Sequence, residues 1–250
     1  MVKIRDIEIG NGIPKICVPI VGKTEAEILE MAEEIVKVGA DIVEWRGDWY
    51  QDIMSWDAVN GTAKKLRKIL GNIPLLFTFR REAEGGEKEI EPQLYCELIQ
   101  KIAATGFVDL VDIELFTGDK MVCDIIDKVH QNGVKVIVSN HDFHQTPEVE
   151  EIVLRLVKMR ELGADIPKIA VMPNVKKDVL TLLTATEMAS AALNCPVITM
   201  SMGSAGAISR LAGEVFGSAL TFGTVGKSSA PGQIEVGDLR TVLNIIHKQL

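Results

Sequence analysis

Short β-branched runs recur along this chain at a near-constant interval, and each is followed by a longer segment with helical periodicity. The runs fall at 15–20, 41–46, 74–79, 108–113, 134–139, 167–172, 196–200 and 218–222. The helical stretches lie near 24–38, 55–70, 92–104, 118–131, 148–162, 175–193, 205–215 and 237–249. Consecutive parallel strands need a crossover of roughly a dozen residues, usually a helix. The repeat averages about 31 residues, which is the spacing of a (β/α)8 TIM barrel. Thr24 and Thr146-Pro147 stand where helices should begin. Gly39, Gly71, Gly106, Gly133 and Gly163 each follow a helical run and precede a strand, as C-terminal caps do. An open doubly wound sheet alternates in the same way, but no Gly-x-Gly-x-x-Gly turn follows the first strand. No linker or change of composition divides the chain, so a single α/β barrel domain over residues 1–250 is expected. Lys3 to Ile9, with Gly10-Asn11-Gly12, adds a strand or hairpin that most simply covers the barrel bottom.

Composition narrows the function classes. A hydrophobic content of 47% excludes disorder as the main character. The formal charge of -8 argues against nucleic acid as a partner, because such binders carry a basic face. No apolar run approaches the roughly 18 residues of a membrane span. The opening Met1-Val2-Lys3-Ile4-Arg5-Asp6 has no signal-peptide core. The four cysteines, Cys17, Cys96, Cys123 and Cys195, show neither Cys-x-x-Cys spacing nor a neighbouring histidine in a zinc pattern. Three of these cysteines lie in apolar or helical surroundings, where a buried free thiol is expected, and a soluble cytoplasmic protein with no membrane partner is expected.

A barrel carries its chemistry at the carboxyl ends of its strands. There the chain places Glu44-Trp45-Arg46, Phe79-Arg80 with Glu84 beyond, Asp112-Ile113-Glu114, Ser139-Asn140-His141-Asp142, Lys168 within Pro167 to Met172, and Met200-Ser201-Met202. Side chains alternate across a strand, so Glu44 shares a face with Arg46, Lys168 with Ala170 and Met172, and Met200 with Met202. Lys168 sits inside an apolar run. Burying an ammonium is costly, and desolvation favours the neutral amine that imine formation requires. A snorkelling lysine or half of a buried ion pair accounts for the same residue. His141 is a candidate general acid/base with Glu84 as its orienting partner, since Asp142 points to the other side of a continuing strand. A hydrogen-bonded histidine at a strand terminus is the plainer reading. His141 and His144 lack a third metal ligand. Arg46, Arg80 and Arg210 form an unexpected cationic set that suits a carboxylate, phosphate or polyol. Pairing of Glu44 with Arg46, or of Arg80 with Glu82 or Glu84, is the structural alternative. The turns at Gly203, Gly206 and Gly232 can offer backbone N–H groups to an anion. Trp45, Trp49 and Trp56 read as packing residues.

These segments together resemble type I 3-dehydroquinate dehydratase (3-dehydroquinase), a lyase family of the shikimate pathway. The matching pieces are Glu44-Trp45-Arg46 with Asp48, Phe77-Thr78-Phe79-Arg80 leading to Glu84-Gly85-Gly86, and Ser139 to Phe143 with Thr146-Pro147. Lys168 to Pro173, Met200 to Gly203 through Ser209-Arg210, and Ser229 to Gln233 complete the order. Gly47 and Asn140 depart from the larger apolar residue and the tyrosine that the family usually carries there.

The resemblance implies dehydration of 3-dehydroquinate to 3-dehydroshikimate by syn elimination through an imine on Lys168, with no cofactor and no metal. His141 would move the protons, with Glu84 holding its imidazole. Arg210, Ser229 and Gln233 would bind the carboxylate, while Glu44, Arg46 and Arg80 would hold ring hydroxyls. Met200, Met202 and Phe222 would wall the pocket, and a homodimer is implied. The Gly- and Ser-rich loop from Thr224 to Gln233 is a candidate lid. Two other readings remain at this level: another imine-forming barrel, such as an aldolase on a phosphorylated sugar, and a non-catalytic barrel that binds a metabolite. The first needs a phosphate site where Glu44 and Arg46 suit hydroxyls. The second leaves the lysine, histidine and glutamate without a purpose.

Overall fold

The computed structural model describes residues 1–226 and 229–250. A hairpin comes first, with β1 (Val2–Ile4) antiparallel to β2 (Ile7–Ile9). Arg5 turns between them at a φ of 50°. Strands and helices then alternate: β3 (Lys15–Ile20), α1 (Glu25–Val38), β4 (Ile42–Arg46), α2 (Trp56–Leu70), β5 (Leu75–Thr78), α3 (Pro92–Ala103), β6 (Leu110–Glu114) and α4 (Asp119–Gln131). The second half continues with β7 (Lys135–Asp142), α5 (Val149–Glu161), β8 (Ile166–Val171), α6 (Lys176–Ala192), β9 (Ile198–Ser201), α7 (Ala207–Leu211), α8 (Gly213–Phe216), β10 (Leu220–Thr224), β11 (Ile234–Glu235) and α9 (Val236–His247). Strands β3 to β9 pair in parallel in chain order, and β10 pairs back onto β3. The ring closes between β9 and β10 through a bridge of Val197 with Ser218, where the Ala219 N–H also donates to the Val197 carbonyl at 2.9 Å. The fold is therefore the expected α/β barrel.

Local chemistry explains the elements. The Thr24 hydroxyl accepts from the Glu27 N–H and starts α1, and Gly39 ends it at a φ of 84°, where a Cβ would be strained. Pro92 opens α3 at a position that needs no N–H. In α4 the buried residues are Val122, Ile125, Ile126 and Val129, a helical stripe aimed at the sheet.

The sheet separates two cores. Outward residues such as Val43, Trp45, Phe77, Val111, Val138 and Val171 pack under the helices. Inward residues form a second cluster, with Cys17, Ile42, Leu76, Leu110, Ile137, Ile166, Ile198 and Leu220 as its lower layer. Val2, Ile4 and Ile9 of the hairpin belong to this inner cluster, so β1 and β2 close the barrel bottom. Two residues further along five of these strands the layer turns polar, with Glu44, Thr78, Asp112, Ser139 and Lys168 all buried, while β9 and β10 place Met200 and Phe222 there. Period-two alternation stacks these layers.

Four expectations need correction. The stretch 205–215 is two short helices, because the chain breaks at Ala212. A Cβ on Gly213 would lie 2.7 Å from the Ser218 carbonyl oxygen and 3.0 Å from the Pro14 ring, so this turn is pressed closely against the chain that leads into β10. Strand 134–139 runs on to Asp142, since β8 pairs with it through His141 and Asp142. Thr146-Pro147 precedes α5 rather than starting it: the Thr146 hydroxyl donates to the Met172 carbonyl, and Glu148 is the cap. Of the four free cysteines, Cys17 and Cys96 are buried, but Cys123 and Cys195 are only half-buried. No helix among the described residues is long and apolar enough to cross a membrane.

The hairpin's role can be measured. Ile9 is fully buried in the inner cluster. Ile9→Ala is expected to lower unfolding free energy by about 2–5 kcal/mol. Chemical denaturation would read this, and a loss under 1 kcal/mol, about the size of an ordinary surface change, would show that the hairpin does not seal the core.

Candidate active site

The polar upper layer opens on one pocket at the carboxyl ends of the strands. Every residue singled out from the sequence lines it: Lys168, His141 and Glu84; Glu44, Arg46 and Arg80; Arg210, Ser229 and Gln233; Met200, Met202 and Phe222. Thr78, Gly85, Phe143, Ala170 and Ala230 complete the wall.

Lys168 is 3% exposed, and its Nζ lies 3.1 Å from Asp112 Oδ2. The amine is thus half of a buried ion pair and also faces the pocket. The Phe222 ring centroid sits 4.6 Å from the same Nζ, a cation–π distance. Asp112 accepts from the Ser139 hydroxyl at 2.6 Å and from Arg80 at 2.8 Å. Burial pushes this carboxyl up, but Arg80, Lys168 and these hydrogen bonds outweigh it and bring it to about 2.

Arg80 pairs more widely than expected. It reaches Asp112 at 2.8 Å, Glu114 at 3.1 Å and Ser139 at 3.0 Å, while Glu84 stands at 3.7 Å. Glu82 has no ion pair with it among the described residues. Glu114, fully buried, also accepts from the Arg81 N–H at 2.8 Å. Arg46 does not pair with Glu44. Its fork grips Asp48 through Nε at 2.8 Å and Nη2 at 2.6 Å. Asp48 is two residues along the same strand end and fully buried, which makes it the nearer acceptor in the right plane. Glu44 accepts instead from the Thr78 hydroxyl at 2.8 Å.

His141 shares the inward face of β7 with Ser139. Its Nδ1 lies 3.1 Å from Glu84 Oε2, and its backbone N–H donates to the same oxygen at 2.9 Å. Burial, then Arg80, Lys168 and Arg46, hold the imidazole well below its usual titration range, so it is neutral near pH 7. Burial raises the Glu84 carboxyl to about 7 against the pull of Arg80. Asp142 points away and accepts the His144 and Gln145 N–H groups. No group of three or more His, Cys, Asp or Glu arranged to hold a metal occurs among the described residues.

Arg210 is 1% exposed and, among the described residues, has no carboxylate partner. It donates to the Pro231 carbonyl at 3.1 Å and lies 3.8 Å from Met200 Sδ, while its Nε has no partner. Burial lowers it to about 10. Ser229 and Gln233 bond each other, the Ser229 N–H donating to Gln233 Oε1 at 2.9 Å and Gln233 Nε2 to Ser229 Oγ at 3.0 Å. Gly232 holds this loop down: at a φ of 76°, its would-be Cβ lies 2.3 Å from the Gly203 carbonyl oxygen. Lys227 and Ser228 of the expected lid lie outside the described residues.

The same order of segments recurs in known proteins. The sequence profile of type I 3-dehydroquinase matches residues 16–250. The chain belongs to the type I 3-dehydroquinase family. A 3-dehydroquinate dehydratase of Listeria monocytogenes serotype 4a is 53% identical over 248 residues, covering 99% of this chain and 98% of that one. Another from Clostridium botulinum is 52% identical over 251 residues, covering 100% of this chain and 99% of that one. A crystal structure of the Clostridium difficile type I 3-dehydroquinate dehydratase, solved with covalent modified comenic acid, superposes with a TM-score of 0.97 at 50% identity, covering 100% of this chain and 98% of that one.

Both departures from the usual pattern of type I 3-dehydroquinase have a physical setting here. A Cβ on Gly47 would meet the Phe77 ring at 2.8 Å, so that ring fills the space. Asn140 accepts from Arg155 at 2.8 Å, which turns its amide nitrogen toward Glu84 at 3.5 Å. The sequence reading gave no role to Asp112, Thr78, Ser139 or Phe143. Parity alone could have found the first three: each lies one strand step from an inward residue, as Asp112 does from Leu110. Phe143 covers Gly85, whose would-be Cβ lies 2.3 Å from its ring.

The want of an acidic partner for Arg210 among the described residues predicts a trade between fold and binding. A buried cation without a partner destabilises the protein around it. Arg210→Met is expected to raise unfolding free energy by about 1–2 kcal/mol and to raise KM strongly. Denaturation paired with steady-state kinetics checks both; a destabilised variant with unchanged KM would remove Arg210 as an anion anchor.

Proposed function

We propose that this chain dehydrates 3-dehydroquinate to 3-dehydroshikimate through an imine on Lys168. One observation carries the reading: a buried primary amine, a carboxylate-backed neutral imidazole and a guanidinium lacking an acidic partner share one pocket. Its relatives named 3-dehydroquinate dehydratase support the substrate.

Arg210, with Ser229 and Gln233, would hold the substrate carboxylate, and the Glu44, Arg46 and Arg80 layer would meet the ring hydroxyls. The Lys168 ammonium passes a proton to the neutral His141, and the freed amine adds to the ketone; His141 returns that proton to the hydroxyl of the adduct. Loss of water from that adduct leaves an iminium. The iminium withdraws electrons from the neighbouring C–H bond, so a neutral His141 can take the α-proton and leave an enamine. The enamine expels the adjacent hydroxyl, to which His141 returns the proton, and water leaves. Hydrolysis of the second iminium frees the product ketone and the lysine. One imidazole serves both transfers because both groups leave from one ring face, which is a syn elimination. Met200, Met202 and Phe222 keep the reacting face dry.

Two experiments test this. Borohydride reduction with 3-dehydroquinate, followed by peptide mass mapping, is expected to leave a covalent adduct on Lys168. Lys168→Ala should abolish turnover, and His141→Ala should keep the adduct but lose elimination by about 100-fold or more; normal turnover by Lys168→Ala would sink the mechanism.

The pH profile is the second. Glu84 must be ionised to accept firmly from the imidazole, and burial places its titration at about 7. Deprotonation therefore activates, so kcat/KM should rise as pH increases through about 7. Glu84→Gln should erase that inflection, and an inflection that survives belongs to another group.

A further inference from the structure

We propose that Asp112 is a catalytic residue, the counter-ion that keeps the nitrogen on Lys168 protonated once that nitrogen has become an imine. The inference rests on the imine chemistry proposed above. Its geometry is specific. Asp112 lies on the inward face of β6 and is 1% exposed. One of its oxygens, Oδ1, takes the Ser139 hydroxyl and an Arg80 N–H, at 2.6 and 2.8 Å. The other, Oδ2, faces Lys168 Nζ at 3.1 Å. Ser139 and Arg80 thus fix the rotation of the carboxylate and leave one oxygen for the nitrogen that reacts. Phe222 covers another side of Nζ. Among the described residues, Asp112 is the only carboxylate within ion-pair distance of Nζ.

Charge balance gives the pair its purpose. An ammonium and a ketone give an iminium and water: two of the ammonium's protons leave in the water and the third stays on nitrogen. The nitrogen therefore carries one positive charge before and after condensation. If the iminium loses its N–H proton, the neutral imine left behind draws far less on the adjacent C–H bond, and elimination stalls. An ionised carboxylate at hydrogen-bond distance opposes that loss. A pair that served only the fold would have no effect on the imine.

Other titratable groups surround the pair. Cys17 faces it from β3, Glu44 and Arg46 from β4, Glu114 from further along β6 and His141 from β7. Arg80 and Glu84 stand beyond the end of β5. None of the acids among them bonds Nζ, and Arg80 spends its fork on Asp112 and Glu114. The charge facing Nζ is therefore that of Asp112.

The test compares the wild type with Asp112→Asn and Asp112→Glu. Two readouts are followed against pH: kcat, and the yield of borohydride adduct on Lys168, since borohydride reduces the protonated imine in preference to the neutral one. In Asp112→Asn, the alkaline limb of both should move down by about one pH unit or more, so that at the wild-type midpoint both fall to about one-tenth of their plateau, about fivefold or more below the wild type. Asp112→Glu, which keeps the charge, should restore the limb toward the wild-type position. A folded Asp112→Asn with both limbs in place overturns the proposal. Circular dichroism checks folding, because the change also removes a partner of Arg80. Should that variant unfold, the wild type decides: with substrate bound at pH 9, the C=N stretching band should shift in D2O, and an unshifted band marks a neutral imine and overturns the proposal. If the wild type yields no Lys168 adduct at any pH, the imine reading itself fails and this inference falls with it.

Discussion

Arg80 is the cation on which the upper half of the barrel depends. Its guanidinium spans from the end of β5 to Asp112 and Glu114 on β6 and to Ser139 on β7, with Glu84 just beyond. Three strands and a turn thereby share one charge centre inside a closed sheet. Carboxylates this deep would be intolerable alone. Gathered round a guanidinium they become a rigid polar floor, and that floor sets the positions of the two groups that face the pocket. Asp112 is aimed at Lys168, and Glu84 at His141.

The period-two alternation made most of this readable before any coordinates. Closed barrels oblige each strand to show one face inward, so Glu44 with Arg46 and Lys168 with Ala170 follow from spacing alone. The strand–helix order was equally plain, because each apolar run is punctuated by a cap or a glycine. What spacing could not convey was partner choice. Arg46 takes Asp48 rather than Glu44 because the fork geometry at the strand end favours the carboxylate two residues on. The roles of Asp112 and Ser139 depend on which strands sit side by side and at what stagger, with Ser139 opposite Lys168 across β7 and β8. The break at Ala212 was hidden for the same reason: Gly213 beside it packs against Ser218 and against Pro14 from the far end of the chain.

Electrostatics divides the pocket in two. On the β4 to β8 side every cation is matched by a nearby acid, as in Arg46 with Asp48 and Lys168 with Asp112. On the β9 to β10 side Arg210 stands with a carbonyl, a sulfur and an unpartnered Nε. An anionic ligand would therefore be drawn to one side of the pocket only. The acidic charge of the whole chain, -8, does not disturb this local asymmetry.

The hairpin at the bottom has a further consequence. With Val2, Ile4 and Ile9 packed into the inner cluster, the barrel is closed at its bottom, and among the described residues the pocket lies at its other end. Ligand, product and each exchanged water then pass through the pocket that His141, Phe143, Ser229 and Gln233 help to line. Traffic is then sequential by construction: nothing new can enter from behind to push a product out, so the departure of one occupant sets the earliest moment at which the next can arrive.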